Sequence, residues 1–136
     1  MNMFAGKTAL ITGGAGDIAK SLAKAFLKEG AGVMLVDIDE KGLKKVAGDT
    51  KSATIKYFKA DVTSPDETKA YVKKTIEEFG SIDVFIDNAA IEGEVKPIAD
   101  YPLEVFEKVI NVNIKGMWLG LKYVIPAMEK NGGGSI

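Results

Sequence analysis

Short apolar runs alternate with amphipathic stretches along the whole chain, and that alternation predicts its elements. Lys7-Thr8-Ala9-Leu10-Ile11-Thr12 is apolar and β-branched, as a strand buried on both faces requires. Gly13-Gly14-Ala15-Gly16 breaks it. Asp17 then opens a helical pattern with Ile18, Leu22, Ala25 and Phe26 on one face, ending at Gly30. Val33-Met34-Leu35-Val36 predicts a second strand with Asp37 at its end, followed by a short helix over 40–46 closed by Gly48. A third strand over 53–58 runs into Ala60-Asp61-Val62-Thr63. Ser64-Pro65-Asp66-Glu67 is a helix start: a cap residue, proline at the first helical position and acids in the first turn. Tyr71, Val72, Thr75, Ile76 and Phe79 follow at helical spacing before Gly80. Residues 82–86 predict a fourth strand and 91–100 a loop. Helices are expected over 102–112 and 114–130, with a bend at Asn113, and Ser135-Ile136 reads as the start of a fifth strand.

Strands alternating with helices predict an α/β fold, a Rossmann-type doubly wound parallel sheet in the order 3-2-1-4, within a single domain over 1–136. In that order the ligand crevice lies between the first and fourth strands at their carboxyl ends, where Gly13, Asp37, Asp61 and Asn88 all fall. The turn at Gly13 and Gly16 carries the chemistry. Phosphate oxygens need backbone N–H donors at close range, and glycine removes the Cβ that would keep them away. The helix opening at Asp17 and Ile18 adds unpaired N–H groups and the positive end of its dipole. Asp37, with Ile38 beside it, can accept hydrogen bonds from both hydroxyls of a ribose. The pattern therefore predicts a dinucleotide site.

Composition removes alternatives. The chain has 136 residues, 46% hydrophobic and 27% charged, with a net charge of -1, so it offers no electrostatic footprint for nucleic acid or an anionic membrane. No apolar run approaches a membrane span and no signal-peptide pattern follows Met1, which makes the cytoplasm the expected compartment. There is no Cys and no His, and all 18 cationic side chains are Lys. Metal binding is therefore not expected, and a general acid or base must be Asp, Glu, Lys or Tyr.

Beyond pattern, the chain resembles the short-chain dehydrogenases/reductases. Thr12-Gly13-Gly14-Ala15-Gly16-Asp17-Ile18-Ala19 resembles their TGxxxGxG cofactor fingerprint. Asp61-Val62 resembles the acidic pair that meets the adenine ring, and Asp87-Asn88-Ala89-Ala90 is similar to the NNAG segment bordering the cofactor. Asn111-Val112-Asn113-Ile114-Lys115-Gly116 resembles the helix segment that carries the family's catalytic Asn, matched here by Asn113. The resemblance implies hydride transfer between a nicotinamide and a small alcohol or carbonyl substrate, in a homo-oligomer. It also implies a Ser and a Tyr-x-x-x-Lys after the fifth strand. Tyr57, Tyr71, Tyr101 and Tyr123 have no Lys four positions on, so the chain is read as the N-terminal, cofactor-binding portion, inactive alone. NAD is expected over NADP because Asp37 repels the extra phosphate and no Arg is present to bind it.

Departures from the family pattern fall at four places. Ala19 for Gly still lets helix and strand approach. Asp17 for Gly would put a carboxylate near a pyrophosphate, costing roughly 1–3 kcal/mol, and is read as a helix cap turned back onto backbone N–H groups. Asp87 and Ala90 stand for Asn and Gly. A non-catalytic dinucleotide-binding or interaction module is the alternative reading. A methyltransferase would usually carry an acid before the glycine turn, where Thr12 stands.

Overall fold

The computed structural model describes residues 2–136. Four strands, β1 (Thr8–Thr12), β2 (Gly32–Asp37), β3 (Ile55–Lys59) and β4 (Val84–Ile86), pair in parallel in the order β3-β2-β1-β4. Leu10 of β1 stands opposite Met34 on one side and Phe85 on the other. The helices are α1 (Asp17–Lys28), α2 (Glu40–Thr50), α3 (Pro65–Phe79), α4 (Leu103–Ile110) and α5 (Met117–Glu129). None among the described residues is long and apolar enough to cross a membrane.

Side-chain alternation divides the core between the two faces of the sheet. Leu10, Met34, Val36 and Phe85 point to one face and pack with Tyr71 and Val72 of α3 and Val124 and Met128 of α5. Ala9, Ile11, Val33 and Leu35 point to the other and pack with Ala19 and Ala23 of α1 and Leu43 and Val46 of α2. Each central strand is buried throughout, which explains why its sequence shows a continuous apolar run. At the start of β4, Asp83 fastens the strand to β1 by accepting from Lys7 Nζ (2.9 Å), Thr8 N (2.9 Å) and Ser81 Oγ (2.8 Å). Burial raises the Asp83 pKa, but the hydrogen bonds from Lys7, Ser81 and Thr8 and the Lys7 charge outweigh it and leave the carboxyl below its ordinary value.

Several boundaries differ from the sequence expectation, each for a local reason. Leu22 and Phe26 of α1 pack on the core as expected, but its fully buried residues are Ala19 and Ala23, while Ile18 is 66% exposed and Ala25 faces solvent. Ile18 stands about 100° around the helix from Ala19, on the side that lines the cleft. Helix α2 does not stop at Gly48 but continues to Thr50 and ends at Lys51 in the left-handed region (φ 48°). Gly48 costs the helix about 1 kcal/mol, and the burial of Leu43 and Val46 outweighs it. The start of α3 is as expected: Ser64 accepts from Glu67 N, Pro65 opens the helix, and Gly80 closes it at φ 87°.

The bend expected at Asn113 is a π turn, Asn111–Gly116, between α4 and α5. Its last residue, Gly116, packs on the loop after β3, and Gly120 brings α5 against the sheet. A Cβ at Gly116 would come within 2.9 Å of Val62, and one at Gly120 within 2.9 Å of the Phe85 ring. No fifth strand forms among the described residues. Ser135 makes a single parallel bridge with Val84, donating to Asp83 O (3.0 Å) and accepting from Phe85 N (2.9 Å). Two residues are too few for a ladder. The edge of β4 is thus partly occupied, and Phe85 is fully buried.

Phe85 is the central contact between β4, α5 and α3. Phe85→Ala is expected to lower unfolding free energy by about 3–5 kcal/mol in urea titration, whereas Phe106→Ala, at a site 52% exposed, should cost less than about 1 kcal/mol.

Candidate functional site

The turn after β1 is fixed through its own amides and leads into a helix whose first amides are free. Gly13 takes φ +65°, and a Cβ there would lie 2.7 Å from the Asn88 side-chain nitrogen, so both conformation and space require glycine. Gly14 N donates to Val36 O (2.9 Å) and Gly16 N to Gly13 O (3.2 Å), which fixes the turn against β2. Gly16 occupies the N-cap of α1 and offers no side chain to cap it. Asp17 is the first helical residue, and its exposed carboxylate makes no hydrogen bond among the described residues, so the expected cap is not formed. The carboxylate projects instead into solvent at the helix N-terminus, where the dipole favours it. The backbone amides of Asp17 and Ile18, in the first turn, are left open to an acceptor.

Asp37 joins the end of β2 to this turn. Its Oδ2 accepts from Ala15 N (3.1 Å) and its Oδ1 from Asp39 N (2.9 Å). Each carboxylate oxygen retains acceptor capacity. Asp61, after β3, is held by Thr63, whose N (2.8 Å) and Oγ1 (2.7 Å) both donate to Oδ1. Its amide donates to Glu67 Oε2 (2.8 Å).

The loops after β1 and β4 are joined through Thr12. Its hydroxyl donates to Asp87 Oδ1 (3.0 Å) and accepts from the amides of Asn88 (3.0 Å) and Ala89 (3.1 Å). An ionised carboxylate can only accept, so Asp87 fixes the direction of the hydroxyl and turns its lone pairs to the two amides. The Asn88 side chain returns the connection, donating to Thr12 O (3.1 Å) and more weakly to Gly13 O (3.5 Å). Burial pushes the Asp87 pKa up to about 6, with the Thr12 hydrogen bond opposing. Its Oδ2 and the Tyr71 hydroxyl are buried without partners among the described residues. Burial, and secondarily the Asp87 charge, hold the Tyr71 phenol above its ordinary range.

Asn113, in the π turn, acts on the β4 loop. Its Oδ1 accepts from Ile91 N (2.9 Å) and its Nδ2 donates to Ile91 O (3.0 Å), the two bonds a neighbouring strand would supply. Each end of the amide keeps one further hydrogen-bonding site.

These loops enclose two adjoining hollows. One, about 430 Å³, is lined by Gly13, Gly16, Asp17, Ile18, Asn88 and Glu92 among others. The second, about 370 Å³, is lined by Ile38, Asp61, Val62, Ala89, Lys108 and Val112 among others. Gly13, Asp37, Ala90 and Ile91 belong to both, so the two form one cleft across the carboxyl ends of the strands. Every residue expected at the site lines this cleft except Asn113, which stands behind Ile91. The glycine turn, the open amides and the acid at the end of β2 fit a dinucleotide. Sequence reasoning missed Ile91, Lys108 and Asn111 on the wall, and the hydroxyl of Thr12 as the joining group. Thr12 lay within the fingerprint, but its bonds cross 75 or more positions of sequence.

Comparison with known proteins agrees with this geometry. The family model described as short chain dehydrogenase matches residues 7–136. Zerumbone synthase of Zingiber zerumbet is 38% identical over 136 residues, 96% of this chain and 50% of that protein. The crystal structure of levodione reductase superposes with a TM-score of 0.92 at 36% identity, covering 96% of this chain and 52% of that one. A 3-ketoacyl-(acyl-carrier-protein) reductase from Brucella melitensis, complexed with NADH, gives 0.90 at 32% identity over 95% and 53%. The chain spans about half the length of the relatives it matches.

Because folding raises the Asp87 pKa, the native state holds this proton more tightly than the unfolded chain. The associated stability is full below pH 4 and is lost as pH rises through about 6. Asp87→Asn keeps the acceptor for Thr12 and removes the charge. It should raise stability at pH 7.5 by about 1–2 kcal/mol, discounted for partial solvent access, and flatten the pH dependence between 4 and 7 in thermal unfolding.

Proposed function

The chain belongs to the short-chain dehydrogenase family, and from that premise we propose that it furnishes the cofactor cleft of an NAD-dependent oxidoreductase. The reaction moves a hydride between a nicotinamide and the carbon of a small alcohol or carbonyl substrate. One observation carries this reading above the others. Asp37 is bonded to the amide of Ala15, so the acid that would hold a ribose and the turn that would hold phosphate are fastened together on one cleft.

When bound, the nicotinamide supplies the hydride. The residues of this chain bind and orient. The open amides of Asp17 and Ile18 donate to phosphate, Asp37 accepts from the ribose hydroxyls, and Gly13 admits the backbone to close approach. Ile38, Asp61 and Val62 line the part of the cleft assigned to the adenine, with Ala89 and Ala90 along its floor. Asn88 keeps the floor in register with the glycine turn. Asn113 fixes Ile91 through its side chain, and its role as the family's catalytic Asn, holding a water, is carried by the resemblance of residues 111–116. Proton transfer to the substrate is assigned to none of Tyr57, Tyr71, Tyr101 and Tyr123, since none has a Lys four positions on. NAD is preferred over NADP on the charge of Asp37 and the absence of Arg. We place the protein in the cytoplasm as a homo-oligomer, without nucleic-acid or membrane partners. The near-neutral charge supports the last point, and the exposed Ile114, Met117 and Trp118 support the oligomer.

Isothermal titration tests the cofactor assignment directly. NADH should bind at least tenfold more tightly than NADPH, and Asp37→Ala should weaken NADH and close the gap. Equal or tighter binding of NADPH by the unaltered protein would sink the preference. Asp17→Gly should tighten both dinucleotides by about five- to tenfold, because it removes a carboxylate from the phosphate end of the cleft.

A further inference from the structure

The wall of the cleft between β4 and α4 is fastened at two points, and the dinucleotide reading accounts for only one of them. The first is the pairing of Asn113 with the main chain of Ile91. The second lies three residues on, where the Tyr101 hydroxyl accepts from Glu94 N (3.0 Å). Gly93 makes this second contact possible. A Cβ on Gly93 would overlap the Tyr101 hydroxyl and stand 3.3 Å from its ring carbon, so the phenol fills the space that the missing side chain leaves.

Tyr101 is itself held in place from both sides. A 3-10 turn, Ile98–Asp100, delivers it, with Tyr101 N donating to Ile98 O (3.4 Å). Pro102 follows and confines it to the extended backbone seen here (φ -73°, ψ 124°). Between the two fastenings lie Glu92 and Gly93, and Ile91 and Glu92 line the hollow at the phosphate end. Beyond Glu94 nothing comparable holds the loop: Val95 and Ile98 are fully exposed. Without the Tyr101 hydroxyl, the stretch from Glu92 onwards would hang from Ile91 alone.

We propose that Tyr101 is a positioning residue for the dinucleotide cleft: its hydroxyl, seated in the gap over Gly93, holds Ile91–Glu94 as a fixed wall. The proposal rests on the reading of the cleft as a dinucleotide site. Its effect on a ligand is indirect. A wall that is closed only part of the time lowers apparent affinity by the closed fraction, without altering any group that touches the ligand.

The test uses Tyr101→Phe, which removes one oxygen and keeps the ring, with Gly93→Ala as a second variant that displaces the phenol from the opposite side. Amide hydrogen exchange, thermal unfolding and NADH titration are measured on each. Glu94 N should exchange about five- to tenfold faster in Tyr101→Phe, the worth of one hydrogen bond, while Ile91 N keeps its protection. The dissociation constant for NADH should rise two- to fivefold in both variants, while the unfolding temperature of Tyr101→Phe falls by only about 2–5 °C; a purely structural role would lower that temperature and leave the affinity unchanged. Unchanged exchange at Glu94, or faster exchange with unchanged NADH affinity, would overturn the proposal. If the unaltered protein bound no NADH, the cofactor reading would fall, and the exchange at Glu94 would still decide whether the fastening exists.

Discussion

A parallel sheet brings the ends of its strands to one edge, but it does not connect the loops that leave them. Here the Thr12 hydroxyl makes that connection, with one donated and two accepted hydrogen bonds joining β1 to the loop after β4. Nearly everything at the cleft depends on it. Asn88 reaches the glycine turn because its backbone is anchored there, and Gly13 must lack a side chain because Asn88 arrives so close. Asp37 fastens the same turn from the β2 side. A short polar residue at the end of an otherwise apolar strand is thus the point where the sheet becomes a site.

The sequence was most legible where a local signal and the tertiary structure agreed. Ser64-Pro65 and Gly80 bounded α3 because cap chemistry is local, and the continuous apolar runs of β1 and β2 followed from burial on both faces. The cleft residues were legible for a related reason: strand ends are recognisable, and a doubly wound sheet places them together. Failures came where packing overrode the local rule. Gly48 suggests a stop, but the burial of Leu43 and Val46 ahead of it holds the helix together as far as Thr50. On α1, Leu22 and Phe26 pack on the core as expected, but Ala19 and Ala23 make its most buried contact, and Ile18 faces the cleft instead. Asp17 was read as a cap from residue type, but the chain enters the helix one residue earlier, at Gly16. Contacts such as Thr12 with Asn88, or Tyr101 with Gly93, leave no periodic trace and became visible only in the structure.

Asp87 is where local chemistry and fold agree least. It stands where the family pattern has Asn, and it orients Thr12 well, yet it buries an oxygen that no group among the described residues satisfies. Gly120 lies directly beneath that oxygen, close enough that a Cβ would stand 3.0 Å away. The site keeps its geometry and accepts an electrostatic cost for it.

The π turn at Asn111–Gly116 has a consequence for what chain lengths this fold tolerates. An α-helix advances about 100° per residue, so one extra residue in a turn resets the angular phase of everything downstream. Upstream of the turn, α4 is phased to line the cleft with Lys108; downstream, α5 is phased to lay Gly120 on Phe85 of the sheet. The two requirements are out of step, and the wide turn reconciles them. Deleting a single residue between Asn113 and Gly116 would leave a smoother helix and rotate its glycine face off the sheet. The irregularity works as an angular gear between the cleft and the core, and it makes this helix pair intolerant of one-residue length changes that an ordinary surface helix would absorb.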